Sequence, residues 1–250
     1  PRVGKTSTQV SLVVHPRPRI NEVRSQPAAN YSPSHLQHDI VIPGAPRPRN
    51  GTVVLLHGRG DNATGIAPLA FELDREDLRV ISVQAPLALD PPHDGGYEWY
   101  RMHEAGQTEQ PTLLESLTAL ASFLESVVRK YPDNAERVVV MGFSQGAVAA
   151  LGVQAQRPDL VTGVIAMSGY CPLQAKAIGT NLIGQPIFLG HGTSDTVIPV
   201  TLGRQSLKIL EGLKAAVTYR EYPIGHQISM DELEDIRAWL DETLPQPRQS

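Results

Sequence analysis

The chain of 250 residues is 41% hydrophobic and has a formal net charge of −4, so it holds enough apolar sequence to bury a substantial core. This charge gives no broad positive field, which excludes nucleic acid as an expected partner. The single cysteine, Cys171, excludes an internal disulfide framework and any metal site built from several cysteines.

Residues 1–35 differ in composition from the rest of the chain, being rich in Arg, Pro, Ser and Thr. Prolines at positions 16, 18, 27 and 33 prevent a continuous helix. We interpret this segment as an N-terminal extension, in which alternating apolar residues at 8–14 favour an added edge strand. Its basic character favours a solvated arm and leaves a membrane or targeting role open.

Short apolar runs alternate with longer amphipathic segments in residues 36–246, which we interpret as one domain. Several runs are continuous in Val, Ile and Leu, as expected of strands that are covered on both faces. The predicted strands are residues 39–42, 52–56, 80–84, 138–141, 163–167, 186–189 and 217–221.

The longer segments between these strands are predicted helices. In the second of them, leucines at 113, 117, 120 and 124 recur at steps of three and four residues and form one buried stripe. Alternating strands and helices indicate an α/β fold with a mostly parallel central sheet and helices on both faces. The predicted helices are residues 66–72, 112–131, 145–157, 203–213 and 231–242.

The pentapeptide Gly142-Phe143-Ser144-Gln145-Gly146 lies between a predicted strand and a predicted helix. In that context Gly-x-Ser-x-Gly is typical of a nucleophile elbow, a tight turn that projects the serine hydroxyl at a helix N-terminus. The flanking glycines are expected because a Cβ there would collide with the neighbouring strand or helix. Taken alone, the pentapeptide also fits an ordinary turn.

A serine hydroxyl needs a base to accept its proton and a carboxylate to orient that base. Asp195 and His226 each follow a predicted strand, and Ser144, Asp195 and His226 occur in the chain order of α/β-hydrolases. Considered singly, Asp195 also fits a turn residue that caps the next helix, and His226 also fits a surface loop.

An oxyanion formed at the attacked carbonyl carbon needs backbone N–H donors. One donor is expected to be the N–H of Gln145, directly after the nucleophile. We assign the second to the N–H of Arg59, in the loop His57-Gly58-Arg59-Gly60 that follows an early strand. The Arg59 side chain is then free to contact substrate.

The chain resembles the phospholipase/carboxylesterase family, which includes the acyl-protein thioesterases. The likeness extends from about residue 39 to 244, with residues 222–229 closest to the bacterial carboxylesterases. It implies an α/β-hydrolase fold, a serine nucleophile, no cofactor, and ester or thioester substrates. It is carried by LLHGRGD at 55–61, GFSQGA at 142–147, HGTSD at 191–195 and GHQ at 225–227.

A long segment at 85–110 contains Tyr97, Trp99 and Tyr100, and a loop of that length is usually functional or disordered. In similar family members this region walls the acyl pocket, so we assign these three aromatic residues to a substrate pocket. We place Ile198, three residues after Asp195, in the same pocket. The alternative is that the aromatic residues only pack the loop onto the domain.

We therefore expect a carboxylic ester hydrolase in which Ser144 attacks small or short-chain esters and forms an acyl-enzyme. Thioesterase or lysophospholipase action on longer acyl chains stays open, and so does a non-catalytic binding protein on the same fold. The expected partner is a small-molecule ester, with no cofactor and no metal, and a homodimer stays open.

No run approaches the roughly 20 apolar residues of a membrane span, so we expect no stable membrane insertion. The sequence also opens without the apolar core of a secretory leader, which favours a cytoplasmic location. A leader that was removed before Pro1 stays open.

Overall fold

The computed structural model describes residues 24–25, 36–41, 50–89, 96–102, 108–132, 137–172 and 182–246. The strands are β1 (Arg24–Ser25), β2 (His38–Val41), β3 (Gly51–Leu56), β4 (Leu78–Val83), β5 (Leu87–Ala88), β6 (Tyr97–Glu98), β7 (Val138–Phe143), β8 (Gly163–Met167), β9 (Pro186–Gly192) and β10 (Ala216–Tyr222). The helices are α1 (Ala63–Ile66), α2 (Leu69–Glu72), α3 (Gln110–Lys130), α4 (Gln145–Gln156), α5 (Val200–Gly212) and α6 (Met230–Thr243).

In the described part of the chain, eight strands form the main sheet in the order β1-β2-β4-β3-β7-β8-β9-β10. The six strands from β4 to β10 in that order run parallel, and β2 pairs antiparallel with β4. Strands β5 and β6 form a separate antiparallel pair. The predicted mostly parallel sheet is confirmed, and the carboxyl ends of its parallel strands meet along one edge.

Two apolar cores cover the two faces of this sheet. In β3, Val54 and Leu56 belong to the core under α3, α4 and α5, whereas Val53 and Leu55 belong to the core under α1, α2 and α6. Alternate residues of a strand point to opposite faces, so a strand buried on both faces is apolar throughout. The predicted helices on both faces are confirmed.

Helix α4 lies deep in the molecule, with residues 145–155 all buried. Its small residues let α3 approach closely, since a Cβ added at Gly152 would lie 2.8 Å from Leu117 Cδ1. The stripe predicted on α3 is confirmed: Leu113, Leu117, Leu120 and Leu124 are each no more than 3% exposed. The helix that follows the predicted nucleophile is thus buried along nearly its whole length.

Two local predictions were incomplete. The single helix predicted at 66–72 is two short helices, because Pro68 has no N–H to continue the helical hydrogen-bond ladder. The loop predicted at 85–110 contains the β5–β6 pair, which continues into a bridge between Tyr97 and Asp61. This bridge joins the segment to the loop after β3.

Residues Arg24–Ser25 pair antiparallel with β2, as Arg24 lies opposite Ile40 and Ser25 opposite Asp39. The edge strand predicted at 8–14 lies outside the described residues. Among the helices described, none is both long and apolar enough to cross a membrane.

Candidate active site

Ser144 stands at the turn between β7 and α4 with φ 56° and ψ −119°. A positive φ is strained for a residue with a Cβ and persists only where the surroundings enforce it. The Ser144 N–H donates to the Met167 carbonyl at 2.9 Å, which fixes the turn to the end of β8. The side chain therefore stands at the carboxyl edge of the sheet.

Two glycines allow this turn to pack closely. A Cβ added at Gly142 would lie 2.2 Å from the Gly146 carbonyl oxygen, and one added at Gly146 would lie 2.2 Å from the Leu56 carbonyl oxygen. Real Cβ atoms do not approach backbone oxygen so closely, so neither position accepts a larger residue without moving the chain. The steric role predicted for both glycines is confirmed.

The structure brings Ser144, His226 and Asp195 into one hydrogen-bonded line. His226 Nε2 lies 3.0 Å from Ser144 Oγ, and His226 Nδ1 lies 2.7 Å from Asp195 Oδ2. The Asp195 side chain is fully buried, whereas the imidazole is 8% exposed. A carboxylate on Nδ1 stabilises the tautomer in which Nε2 can accept a proton from the serine.

Asp195 also organises its own loop after β9. Its Oδ1 accepts the N–H groups of Val197 and Ile198, each at 2.8 Å. The carboxylate therefore serves the turn through one oxygen and His226 through the other. Nearby, His191 Nε2 donates to the Ile198 carbonyl at 2.8 Å, so this buried histidine shapes the loop.

His57 shapes the loop after β3 and is completely buried. Its Nδ1–H donates to the Gly58 carbonyl at 2.7 Å, and its Nε2 accepts the Ala85 N–H at 3.0 Å. Burial lowers the pKa of His57 to about 4, against the smaller raising effect of the bond to Gly58. Both ring nitrogens form hydrogen bonds with backbone groups, so this imidazole is neutral and has no nitrogen free to act as a base.

The two residues predicted to donate to an oxyanion flank Ser144. Gln145 is the first residue of α4, and the first N–H groups of a helix have no intrahelical acceptor. The loop that carries Arg59 passes close by, because a Cβ added at Gly58 would lie 3.4 Å from Ser144 Cβ. Gln145 thus follows the serine at the start of a helix, and Arg59 follows Gly58 in the loop after β3.

The side chain of Gln145 has a second role that sequence reasoning missed. Its Oε1 accepts the Trp99 N–H at 3.0 Å, and its Nε2 donates to the Tyr100 carbonyl at 3.0 Å. The amide thus fastens residues 99 and 100 to the start of α4. The motif Gly-x-Ser-x-Gly leaves the residue after the serine unspecified, so it gave no signal of this side-chain role.

The four residues predicted for a substrate pocket differ in exposure. Trp99 is fully buried and donates its indole N–H to the His57 carbonyl at 2.9 Å, and Tyr100 is 2% exposed. Neither has surface for a substrate in this structure, so both pack the segment onto the domain, as in the alternative stated above. Tyr97 and Ile198 are half-buried and keep accessible surface.

A buried carboxyl group, also missed, lies at the start of α6. Glu232 is 1% exposed, and its Oε1 faces Gly190 of β9 without a hydrogen-bond partner among the described residues. Burial raises the pKa of Glu232 to about 8, although a hydrogen bond with the Ser229 backbone acts in the opposite direction. Elsewhere in the described ranges, no group of three or more His, Cys, Asp or Glu could hold a metal ion.

A sequence model of the phospholipase/carboxylesterase family matches residues 37–244. Among curated proteins, acyl-protein thioesterase 1 of Yarrowia lipolytica is 30% identical over 208 residues, which cover 77% of this chain and 92% of that protein. Acyl-protein thioesterase 1 of Debaryomyces hansenii is 26% identical over 230 residues, which cover 84% of this chain and 99% of that protein.

Solved structures of esterases have the same fold. The carboxylesterase of Bacillus cereus aligns with a TM-score of 0.73 and 25% identity, over 83% of this chain and 94% of that one. Esterase PE8 aligns with a TM-score of 0.74 and 26% identity, over 84% of this chain and 99% of that one. The family match runs from the residue before β2 to the residue after α6.

Proposed function

Since this chain belongs to the phospholipase/carboxylesterase family, we propose that it is a serine-dependent carboxylesterase acting on small or short-chain esters through an acyl-enzyme. The protein is a carboxylic ester hydrolase with the α/β-hydrolase fold, as the sequence predicted. The finer assignment, including the role of each residue, is supported chiefly by the hydrogen-bonded line from Ser144 through His226 to Asp195.

In the first half of the proposed reaction, Ser144 Oγ attacks the acyl carbon while His226 Nε2 accepts its proton. The buried carboxylate of Asp195 orients the ring and stabilises the imidazolium that forms. His226 then returns the proton to the departing alkoxide, which leaves as an alcohol. The acyl group stays on Ser144 as an ester.

In the second half, His226 takes a proton from water, and the resulting hydroxide attacks the acyl-enzyme. Collapse of this intermediate releases the carboxylic acid and restores the Ser144 hydroxyl. In both halves the oxyanion accepts hydrogen bonds from the N–H groups of Gln145 and Arg59. A donor of this kind typically contributes about 2.7–4 kcal/mol of transition-state stabilisation.

Substitution of the nucleophile tests the proposal. Ser144→Ala should abolish hydrolysis of p-nitrophenyl acetate above the uncatalysed background. The matched control is Ser122→Ala on α3, whose hydroxyl donates to the Thr118 carbonyl, and it should keep the parental rate. Parental activity in a folded Ser144→Ala protein would contradict the assignment.

The second candidate is an acyl-protein thioesterase or lysophospholipase that acts on longer acyl chains. It is favoured by the names of the two curated relatives, which are both acyl-protein thioesterases. A panel of p-nitrophenyl esters from acetate to palmitate separates the two functions, because a small pocket favours acyl groups of about two to four carbons. A maximum at long chains would favour the second candidate.

We also propose that residues 36–246 form a single catalytic domain and that residues 1–35 are an extension. The support is that seven strands, β2, β3, β4 and β7 to β10, lie in one sheet, and that the six helices described above pack in its two cores. Removal of residues 1–35 should then leave a folded protein with ester hydrolase activity, measured with p-nitrophenyl acetate.

A further inference from the structure

Two arginines share one buried carboxylate near Ser144. Arg59 Nε lies 2.8 Å from Glu98 Oε2, and Arg101 Nη1 lies 2.9 Å from Glu98 Oε1. The Glu98 side chain is 2% exposed, whereas those of Arg59 and Arg101 are 43% and 40% exposed. Two cations on one anion leave the group with an excess positive charge, which faces solvent in a chain of net charge −4.

The three charged residues belong to two segments of chain that are linked to the residues next to Ser144. Arg59 follows Gly58, the position whose added Cβ would lie 3.4 Å from Ser144 Cβ. Glu98 and Arg101 flank residues 99 and 100, which the Gln145 side chain fastens to the start of α4. Each arginine is thus next in sequence to a residue that contacts Ser144 or is hydrogen-bonded to Gln145.

Each arginine has donors left over. A guanidinium carries five N–H donors, and Glu98 engages the Nε of Arg59 and the Nη1 of Arg101. Within the described residues, neither arginine side chain has another hydrogen-bond or ion-pair partner. Because the buried carboxylate already holds both guanidinium groups, little conformational freedom is left to lose when an anion binds.

A third arginine shows the opposite arrangement. Arg157, at the far end of α4, contacts two carboxylates: Glu125 through Nη1, and Asp159 through Nε and Nη2. Two anions on one cation leave no excess positive charge there. Its environment is that of a structural ion pair. Among the described residues, the site near Ser144 differs because its two guanidinium groups share a single carboxylate.

We propose that Arg59 and Arg101 bind the free carboxylate of an anionic substrate, so that the enzyme prefers monoesters of short dicarboxylic acids. This inference rests on the proposed function, because it concerns the substrate class of the same site. The arginines act as binding residues that hold the distal carboxylate while Ser144 attacks the ester carbonyl. Carboxylate and guanidinium match in shape and form charge-assisted hydrogen bonds.

The test compares two substrates that differ in charge and hardly in shape. Monomethyl glutarate carries a carboxylate where its amide analogue, methyl glutaramate, is neutral. For the wild-type protein, kcat/KM should be roughly tenfold higher for the anion, the size expected of one charge-assisted hydrogen bond. Because both arginines are half-exposed, raising the salt from about 0.05 to 0.5 M should lower this ratio.

Variants assign the preference to the arginines. Arg101→Gln should lower the ratio of the two kcat/KM values at least threefold, Arg101→Lys should lower it less, and the control Arg157→Gln should leave it unchanged. A wild-type ratio at or below one would overturn the proposal. So would an Arg101→Gln protein that loses activity equally on both substrates, because that result indicates a purely structural ion group.

Binding without turnover separates this inference from the proposed function. Calorimetric titration of Ser144→Ala with the same two compounds should show tighter binding of monomethyl glutarate, and Arg101→Gln in that background should remove the difference. Absence of ester hydrolysis by wild type with selective binding by Ser144→Ala would contradict only the proposed function. Equal binding of both compounds would overturn the anion site even in an active esterase.

If Arg101→Gln does not fold, two other measurements decide whether the arginines bind the substrate carboxylate. They are the ratio of the two kcat/KM values in Arg101→Lys and the salt dependence of that ratio in the wild-type protein.

Discussion

The loop after β3 and the loop after β10 both place a histidine at the carboxyl edge of the sheet, with opposite surroundings. The ring of His57 is enclosed, and both of its nitrogens bond backbone groups. The ring of His226 bonds two side chains, Asp195 and Ser144. An imidazole whose two nitrogens bond backbone groups stays neutral and stabilises its loop. An imidazole between a carboxylate and a hydroxyl can accept a proton from the hydroxyl and release it again.

The largest effect should separate the two histidines by activity. His226→Ala removes the only base that contacts Ser144 in the described residues, so kcat should fall by roughly 10⁶-fold, the size of loss found when a serine hydrolase loses its catalytic histidine. His57→Gln only loosens a loop, so its loss should stay below the 10²–10³ or so expected of one missing oxyanion donor. Rates with p-nitrophenyl acetate and circular dichroism of both variants check this. Equal losses in two folded proteins would remove the distinction.

The second-largest effect is expected at Asp195, whose carboxylate bonds His226 and has no counterpart at His57. Asp195→Asn keeps the shape of the side chain but favours the wrong tautomer of His226, so kcat should fall by about 10⁴-fold. The variant should remain folded, because the amide oxygen can still accept the N–H groups of Val197 and Ile198. A decrease of less than tenfold would mean that Asp195 only stabilises the loop after β9 and does not act through His226.

The third effect is on stability and belongs to the loop after β3. The folded-state pKa of His57 is lowered from 6.5 to about 4. Between these two pH values, His57 binds a proton in the unfolded chain but stays neutral in the folded chain. Stability should therefore fall between pH 6.5 and 4, by at most roughly 3 kcal/mol from this residue. Urea unfolding of wild type and His57→Gln across that range checks it. An unchanged pH slope in the variant would contradict the account.

The smallest effect concerns the buried carboxyl group that follows the loop after β10. The folded-state pKa of Glu232 is raised from 4.5 to about 8, so above pH 4.5 the unfolded chain releases a proton that the folded chain keeps. Its contribution to stability is full below pH 4.5 and is lost as pH rises to 8, the reverse of His57. Glu232→Gln should thus raise the free energy of unfolding at pH 8 by about 1–3 kcal/mol. A stabilisation that does not grow between pH 5 and 8 would contradict it.

Much of the fold could be predicted because burial on both faces leaves a local signature. Apolar runs such as 52–56 and 163–167 correspond closely to β3 and β8, and the stripe on α3 reports its packing against α4. The β5–β6 pair escaped prediction because each strand has two residues, too few for any periodicity. Its formation depends on contact with the distant loop after β3, which local sequence does not encode.

The candidate site was also predicted only in part. The order of Ser144, Asp195 and His226 at strand ends was informative because parallel strands bring their carboxyl ends to one edge. Burial of Trp99 was not foreseeable, since a tryptophan in a long loop carries no sign of what will cover it. The bond between Arg59 and Glu98 joins residues 39 positions apart, so it follows only from the bridge that aligns their segments.

Activation of Ser144 by His226 can be measured by covalent labelling of the serine. A fluorophosphonate probe reacts readily only with an activated serine, and peptide mass spectrometry locates the modified residue. Stoichiometric labelling of Ser144 is expected in the wild-type protein, with loss of that labelling in folded His226→Ala. An unlabelled Ser144 in folded wild type, or equal labelling in both proteins, would contradict it.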